Sequence, residues 1–120
     1  MNDLTRALKL KAARILNGSA DLIETMGFCR RSAAKTKSGY PVTGINPNAV
    51  RFCAIGGMHR TQKNKHLSRM DYDNALHFLQ ANISANNASN NNVPDWNDDK
   101  KTTKKQVINK LREVARKIKE

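Results

Sequence analysis

Two cysteines and three histidines are the side chains here best suited to bond-making chemistry, and their spacing limits what they can do. Cys53 is the obvious candidate nucleophile, with His59, His66 or His77 as base and Asn97 or Asp98 as the group that orients it. No local signature of a cysteine hydrolase surrounds Cys53. Its neighbours at helical spacing are apolar, the setting of a core cysteine rather than a reactive one. A catalytic set drawn from Cys53, His59 and Asp98 is therefore an outside reading. A metal centre would need Cys29, Cys53, His59 and His66 to converge, and their separations of 24, 6 and 7 positions match no zinc pattern. There is no phosphate-binding glycine loop, no dinucleotide fingerprint and no His-Glu-x-x-His. Neither a catalytic group, a metal nor a cofactor is expected.

Charge is the stronger signal. Lys and Arg number 22 against 10 Asp and Glu, a formal net charge of +12, enough to draw polyanions or acidic protein faces from beyond contact range. The two ends of the chain are basic, whereas residues 71–99 hold five acidic and no basic side chains. A lysine-rich surface also serves solubility, so composition alone does not demand a partner. Three groups of cations are the candidates for nucleic-acid contact: Arg30 and Arg31; Arg60, Lys63, Lys65 and Arg69; and Lys101, Lys104, Lys105, Arg112, Arg116 and Lys119. Such groups track a phosphate backbone with little sequence preference. No recognised nucleic-acid reader motif accompanies them, and aromatics make up 5% of the chain, so specific base readout is not expected.

The elements that must position these residues read as mainly helical. Leu4, Leu8, Ala12 and Ile15 repeat at helical spacing behind Asp3, Asn17-Gly18 supplies a stop, and Ser19 begins a second segment over 20–26. Phe28–Ser32 and Tyr40–Thr43 flank Lys37-Ser38-Gly39 as a short hairpin, in which Pro41 belongs at an edge. Asn46-Pro47 opens a helix running to about Arg60, with Val50, Cys53, Ala54, Gly57 and Met58 inward. Gly56-Gly57 inside that helix costs roughly 1 kcal/mol per glycine and calls for close approach of another helix or of the hairpin. Thr61–Arg69 reads as a cationic loop, and Tyr72, Ala75, Leu76, Leu79 and Ile83 as the stripe of a long helix. Residues 82–92 form an Asn-rich loop. Trp96 anchors the next stretch on the core, Asn97 holds a turn through its own backbone, and Asp98 and Asp99 precede a helix whose positive end favours anions. Thr103 and Gln106 have capping-box spacing before Val107, Leu111, Val114, Ala115 and Ile118. The expected fold is mainly α, a compact bundle of about four helices with a short two-stranded hairpin. Residues 1–120 form a single small basic domain.

Two cysteines are too few for a disulfide framework, and no apolar run approaches the roughly 20 residues that span a bilayer. A reduced, cytoplasmic protein that does not engage a membrane is expected.

Gly27-Phe28-Cys29-Arg30, Gly39-Tyr40-Pro41-Val42, Pro47 through Gly57, and Trp96-Asn97-Asp98 followed by Thr102-Thr103 occur in an order that resembles an uncharacterised family of bacteria and their phages, one carrying a domain-of-unknown-function label. Its marks are an aromatic-Cys-x-x-Gly helix, here Phe52 to Gly56, and an aromatic-Asn-Asp helix opening, here Trp96 to Asp98. Phe28 and Phe52 stand where that pattern has tryptophan, and the Asn-rich loop is an addition. The resemblance covers nearly the whole chain from Gly27. It implies a compact, mainly helical domain, suggests phage origin, and carries no settled activity.

Charge, motifs and resemblance together predict a small, phage- or mobile-element-related binding protein that engages nucleic acid, DNA or RNA, or a nucleoprotein complex electrostatically. The competing expectations are a protein-directed effector that docks on an acidic host defence or replication protein, and a small enzyme using Cys53.

Overall fold

The computed structural model describes residues 3–86 and 92–120. In chain order the elements are α1 (Asp3–Thr25), β1 (Ala34–Lys35), β2 (Pro41–Val42), β3 (Arg51–Phe52), α2 (Ala54–Asn64), α3 (Arg69–Asn86), α4 (Val93–Asp98) and α5 (Lys104–Lys119). The fold is mainly α, as expected, with five helices among the described residues and a third strand added to the hairpin.

α1 is the spine. α5 makes the most extensive packing against it, followed by α2 and α3. α1 and α5 run antiparallel: Arg112 meets Asp21 and Glu24 late in α1, while Val114 and Ile118 share a cavity wall with Lys9. Ala12, Ile15, Leu16 and Ile23 from α1, Tyr72, Leu79 and Ile83 from α3, and Val107, Leu111 and Ile118 from α5 enter one apolar cluster with Phe52, Met58 and Trp96. The inward positions predicted for α3 and α5 are buried, except Leu76, which is half-buried against the core. The Thr103–Gln106 capping box also forms, each side chain bonding the other residue's backbone N–H.

Asn17-Gly18 does not stop α1, which is one continuous helix. Gly18 serves the crossing with α2. A methyl group there would collide with the Thr61 side chain, and one on Gly57 would collide with Ser19. The Ser19 hydroxyl donates to the Ala54 carbonyl at 2.8 Å across the same contact. Gly56 lies against the backbone of Ala33. The adjacent glycines thus answer to two neighbours, the hairpin and a helix. Leu4, read as inward, is 71% exposed.

Asn46-Pro47 opens a turn rather than a helix. Asn46 Oδ1 accepts the Asn48 N–H at 2.8 Å, and Arg60 Nε donates to the Gly44 carbonyl at 2.8 Å while its Nη2 bonds the carbonyl of Asn46. These bonds release residues 51–52 to pair with β1. The sheet order is β2-β1-β3, antiparallel, with Ala34 opposite both Val42 and Phe52, and Pro41 sits on the edge strand. The predicted Thr61–Arg69 loop shrinks because α2 continues to Asn64. Likewise 82–86 continue α3 and Asn92 caps α4, while 87–91 of the expected Asn-rich loop lie outside the described residues.

Candidate functional site

The two motifs that stood out in the sequence meet in space. Cys53 is the N-cap of α2, not an interior residue: its Sγ accepts the Gly56 N–H at 3.2 Å. Asn97, buried on α4, presents Oδ1 to the Ala54 N–H at 2.9 Å and Nδ2 to the Cys29 carbonyl at 3.2 Å. It therefore ties α4 to the start of α2 and to the segment before β1, instead of holding a turn of its own. Asp98 follows, and its Oδ1 accepts from the Arg31 N–H at 2.8 Å and from Asn97 Nδ2 at 3.1 Å. Arg31 takes a left-handed backbone (φ 68°) to deliver that N–H, uncommon for a side chain other than Gly or Asn.

These residues enclose a cavity of about 260 Å³. Arg31, Ser32 and Ala33 form one wall, Cys53 and Ile55 a second, and Val93, Pro94, Asn97 and Asp98 a third. The Ser32 hydroxyl oxygen is buried and has no hydrogen-bond partner among the described residues, and the same holds for Arg30 Nε. A larger concavity of about 830 Å³ lies on the hairpin, lined by Lys37, Tyr40, Pro47 and their neighbours.

The geometry of the thiol is that of a structural group. Burial pushes the Cys53 thiol up to about 11, outweighing the lowering by backbone bonds at the start of α2. Cys29 is also raised by burial, and its Sγ donates to the Ser32 carbonyl at 3.6 Å. Asp98 shares the Cys53 cavity, but His59 does not. It stacks on Tyr72 with ring centroids 4.2 Å apart and lines a different cavity with His66 and Lys63. Burial, with Arg69 second, lowers the His59 imidazole below its ordinary range. Cys53, His59 and Asp98 are thus not brought together. Among the described residues no group of three or more His, Cys, Asp and Glu side chains could hold a metal.

The expected cations divide by use. Arg30 lies over the Phe28 ring and donates from Nη2 to the Thr102 carbonyl at 2.6 Å. That bond brings Arg30 and Arg31 to the α4–α5 junction, where Lys101, Lys104 and Lys105 are exposed. Arg112 is bound to Asp21 and Glu24 at 3.0 and 2.9 Å, which raises its own affinity for the proton and lowers Glu24 from the usual carboxylate range. Arg116 and Lys119 follow Arg112 at helical spacing and are exposed. Arg14, two turns before Asp21 on the same face of α1, is exposed as well. Arg60 is spent on the 44–46 turn and on the Phe52 ring, and Arg69 pairs with Asp73 at 3.1 Å. Lys63 and Lys65 stand apart, exposed at the C-terminal end of α2.

The profile of a family of unknown function, DUF6197, matches residues 8–117. The chain belongs to that family. Comparison with curated proteins and with solved structures gives no match. For this DUF6197 member, sequence reasoning anticipated Trp96, which is buried, and the glycine pair. It missed Ser32 and the role of Asn97. Ser32 carries no signal in a single sequence. Asn97 had one, a lone amide beside a tryptophan in an otherwise acidic hexapeptide, but its partners lie 43 and 68 residues away. No helix among the described residues is long and apolar enough to cross a membrane.

Proposed function

We propose that this DUF6197 member is a non-enzymatic binding protein, cytoplasmic and of phage or mobile-element origin, whose basic surface engages the phosphate backbone of nucleic acid, alone or within a nucleoprotein complex. The observation that carries the reading is the Arg30–Thr102 bond, which spans 72 residues and joins the cations before β1 to those opening α5. Arg31, Lys101, Lys104 and Lys105 then surround a helix N-terminus whose own dipole attracts anions. Lysines there are disfavoured by the same dipole, by roughly 0.3–1 kcal/mol each. A polyanion relieves that repulsion. Asp98 and Asp99 lie at the junction too, and the overall +12 charge outweighs them at longer range.

The cytoplasmic part of the reading is supported by the thiols. Phe28 and Phe52 form a parallel bridge, so Cys29 and Cys53 follow one another across it, yet both are unpaired. That suits a reducing compartment. Phage origin rests on the sequence resemblance alone.

A salt titration of oligonucleotide binding tests the proposal. Affinity should fall steeply with ionic strength, with a log–log slope of about −0.9 per phosphate neutralised on duplex and about −0.7 on single strands. Replacing Lys101, Lys104 and Lys105 with alanine should flatten that slope by about two to three such steps. A flat response, or co-purification with one acidic host protein that survives nuclease and is lost with the same lysines, would replace nucleic acid by a protein target.

A further inference from the structure

The larger concavity, about 830 Å³ on the hairpin, is lined in a way that folding does not require. Of the six Phe, Tyr and Trp side chains, five are buried or half-buried, whereas Tyr40 at this site is 70% exposed. A ring left in water beside an apolar wall contributes little to the core and suits contact with a ligand. Val42 follows on the same face of β2, and Pro47 and Val50 extend the wall. Lys37 is the one charged residue of the lining. The surrounding potential is positive as well, since residues 25–70 hold nine Lys and Arg and no Asp or Glu.

Both sides of the concavity are braced by the protein itself. On the hairpin side, the Thr36 N–H donates to the Tyr40 carbonyl and the Gly39 N–H to the Thr36 carbonyl, each at 2.9 Å. The Tyr40 N–H in turn reaches Thr36 Oγ1 at 3.1 Å, and Gly39 supplies the positive φ (91°) that the turn needs. On the far side, Arg60 holds the carbonyls of Gly44 and Asn46, and Asn46 Oδ1 accepts the Asn48 N–H. Walls fixed in advance lower the ordering cost of binding.

The lining selects among partners. An exposed ring, an apolar wall and a cation with no anion beside it suit a flat, largely apolar group that carries negative charge. A nucleotide is such a group, and its base stacks on an aromatic face. The volume lies within the roughly 300–1,000 Å³ of small-molecule sites, room for a base and its sugar. Bases in a duplex are already stacked on one another, so a single strand is the form that presents a free face. An extended peptide added to β2 is the poorer match, because the exposed Pro41 has no N–H to give a new strand.

We propose that the hairpin concavity is a stacking platform for single-stranded nucleic acid, with one base on the Tyr40 ring and the adjoining phosphate on Lys37. The inference rests on the nucleic-acid reading above and narrows it to unpaired strands. Every base has a face that stacks, so little sequence preference follows.

Anisotropy titrations of a labelled oligothymidine and of a duplex of equal length test the platform. Tyr40→Ala should weaken the single strand by about 5- to 100-fold, the stacking worth of one base, and leave duplex affinity within about twofold. Tyr40→Phe keeps the ring and should bind the single strand as the wild type does. Stacking releases no counterion, so the salt slope of Tyr40→Ala should parallel that of the wild type, whereas Lys37→Ala should flatten it by about 0.7. The exposure of Tyr40 predicts that neither Tyr40 variant changes the melting temperature, which confirms that both are folded when titrated. Undiminished binding of oligothymidine by Tyr40→Ala, or an equal loss on the duplex, would overturn the platform. So would Tyr40-dependent retention of one host protein after nuclease treatment with no effect on oligothymidine, which assigns the concavity to a peptide. The basic surface is decided separately, by whether the salt slope still flattens when Lys101, Lys104 and Lys105 are replaced.

Discussion

Asn97 and Ala54, 43 residues apart, share a buried hydrogen bond of 2.9 Å that closes the α4–α2 junction. The same amide reaches the Cys29 carbonyl at 3.2 Å. Asn97→Ala therefore strands a buried N–H and a buried C=O together, and stability should drop by about 2–4 kcal/mol. Urea denaturation of the two proteins measures it. A loss below about 0.5 kcal/mol would mean that water replaces both bonds.

The α1–α2 crossing is set by small residues, so enlarging one should be repaired by trimming its neighbour. Gly18→Ala places a methyl into Thr61 and should destabilise by about 1–3 kcal/mol despite alanine's better helix propensity. Adding Thr61→Ala should recover most of that loss. Gly56→Ala meets the Ala33 backbone and has no such remedy, so it should be the worst tolerated of the three substitutions. Thermal melts of the single and double variants give the coupling directly.

The raised Cys53 thiol links stability to alkaline pH. The folded state holds the proton that the unfolded chain releases near 9.0, so the contribution is complete below that pH and is lost as pH climbs toward about 11. The wild type should lose on the order of 2 kcal/mol more than Cys53→Ala across that interval. A thiol reagent at neutral pH should modify Cys53 no faster than the chain opens. Rapid labelling of the native protein would instead mark an accessible, reactive sulfur.

Arg31 should trade stability against binding. Its left-handed backbone costs about 1–2 kcal/mol, partly offset in a glycine variant by roughly 0.5–1 kcal/mol of chain entropy. Arg31→Gly should then be about 0.5 kcal/mol more stable while binding nucleic acid more weakly. Chemical denaturation and anisotropy on one preparation test both halves.

Arg112 supplies the internal control for the basic surface. Its guanidinium is already held by Asp21 and Glu24. Arg112→Ala should lower stability in a salt-sensitive way and leave the ionic-strength slope of binding nearly unchanged, unlike Arg116→Ala. With the pair intact, Glu24 ionises below its ordinary range, so the stabilisation is present at neutral pH and fades as acid protonates it.

How much of this was legible depended on how far each signal reached along the chain. The stripe of Tyr72, Ala75, Leu76, Leu79 and Ile83, buried except for the half-buried Leu76, and the Thr103–Gln106 box are written within a few residues, and there sequence and structure agree. Asn17-Gly18 and Asn46-Pro47 look like a helix stop and a helix start, and each was overruled from elsewhere. A helix crossing needed the glycine, and Arg60 drew the asparagine into a turn. The basic groups could be located in the sequence but not sorted. That Arg60 is held by a turn of the chain and Arg112 by a surface ion pair follows from partners 14 to 91 residues distant. The cavity was least visible of all, since its walls come from three stretches of chain, residues 31–33, 53–55 and 93–98.

The antiparallel pairing of α1 with α5 also bears on how the molecule comes into being. Nearly eighty residues must leave the ribosome after α1 before its most extensive packing partner exists. Until then its apolar stripe waits uncovered, so synthesis cut short within α5 should yield a species prone to chaperone capture and proteolysis. The helix that carries the surface lysines would in that way act as a late quality check on the fold.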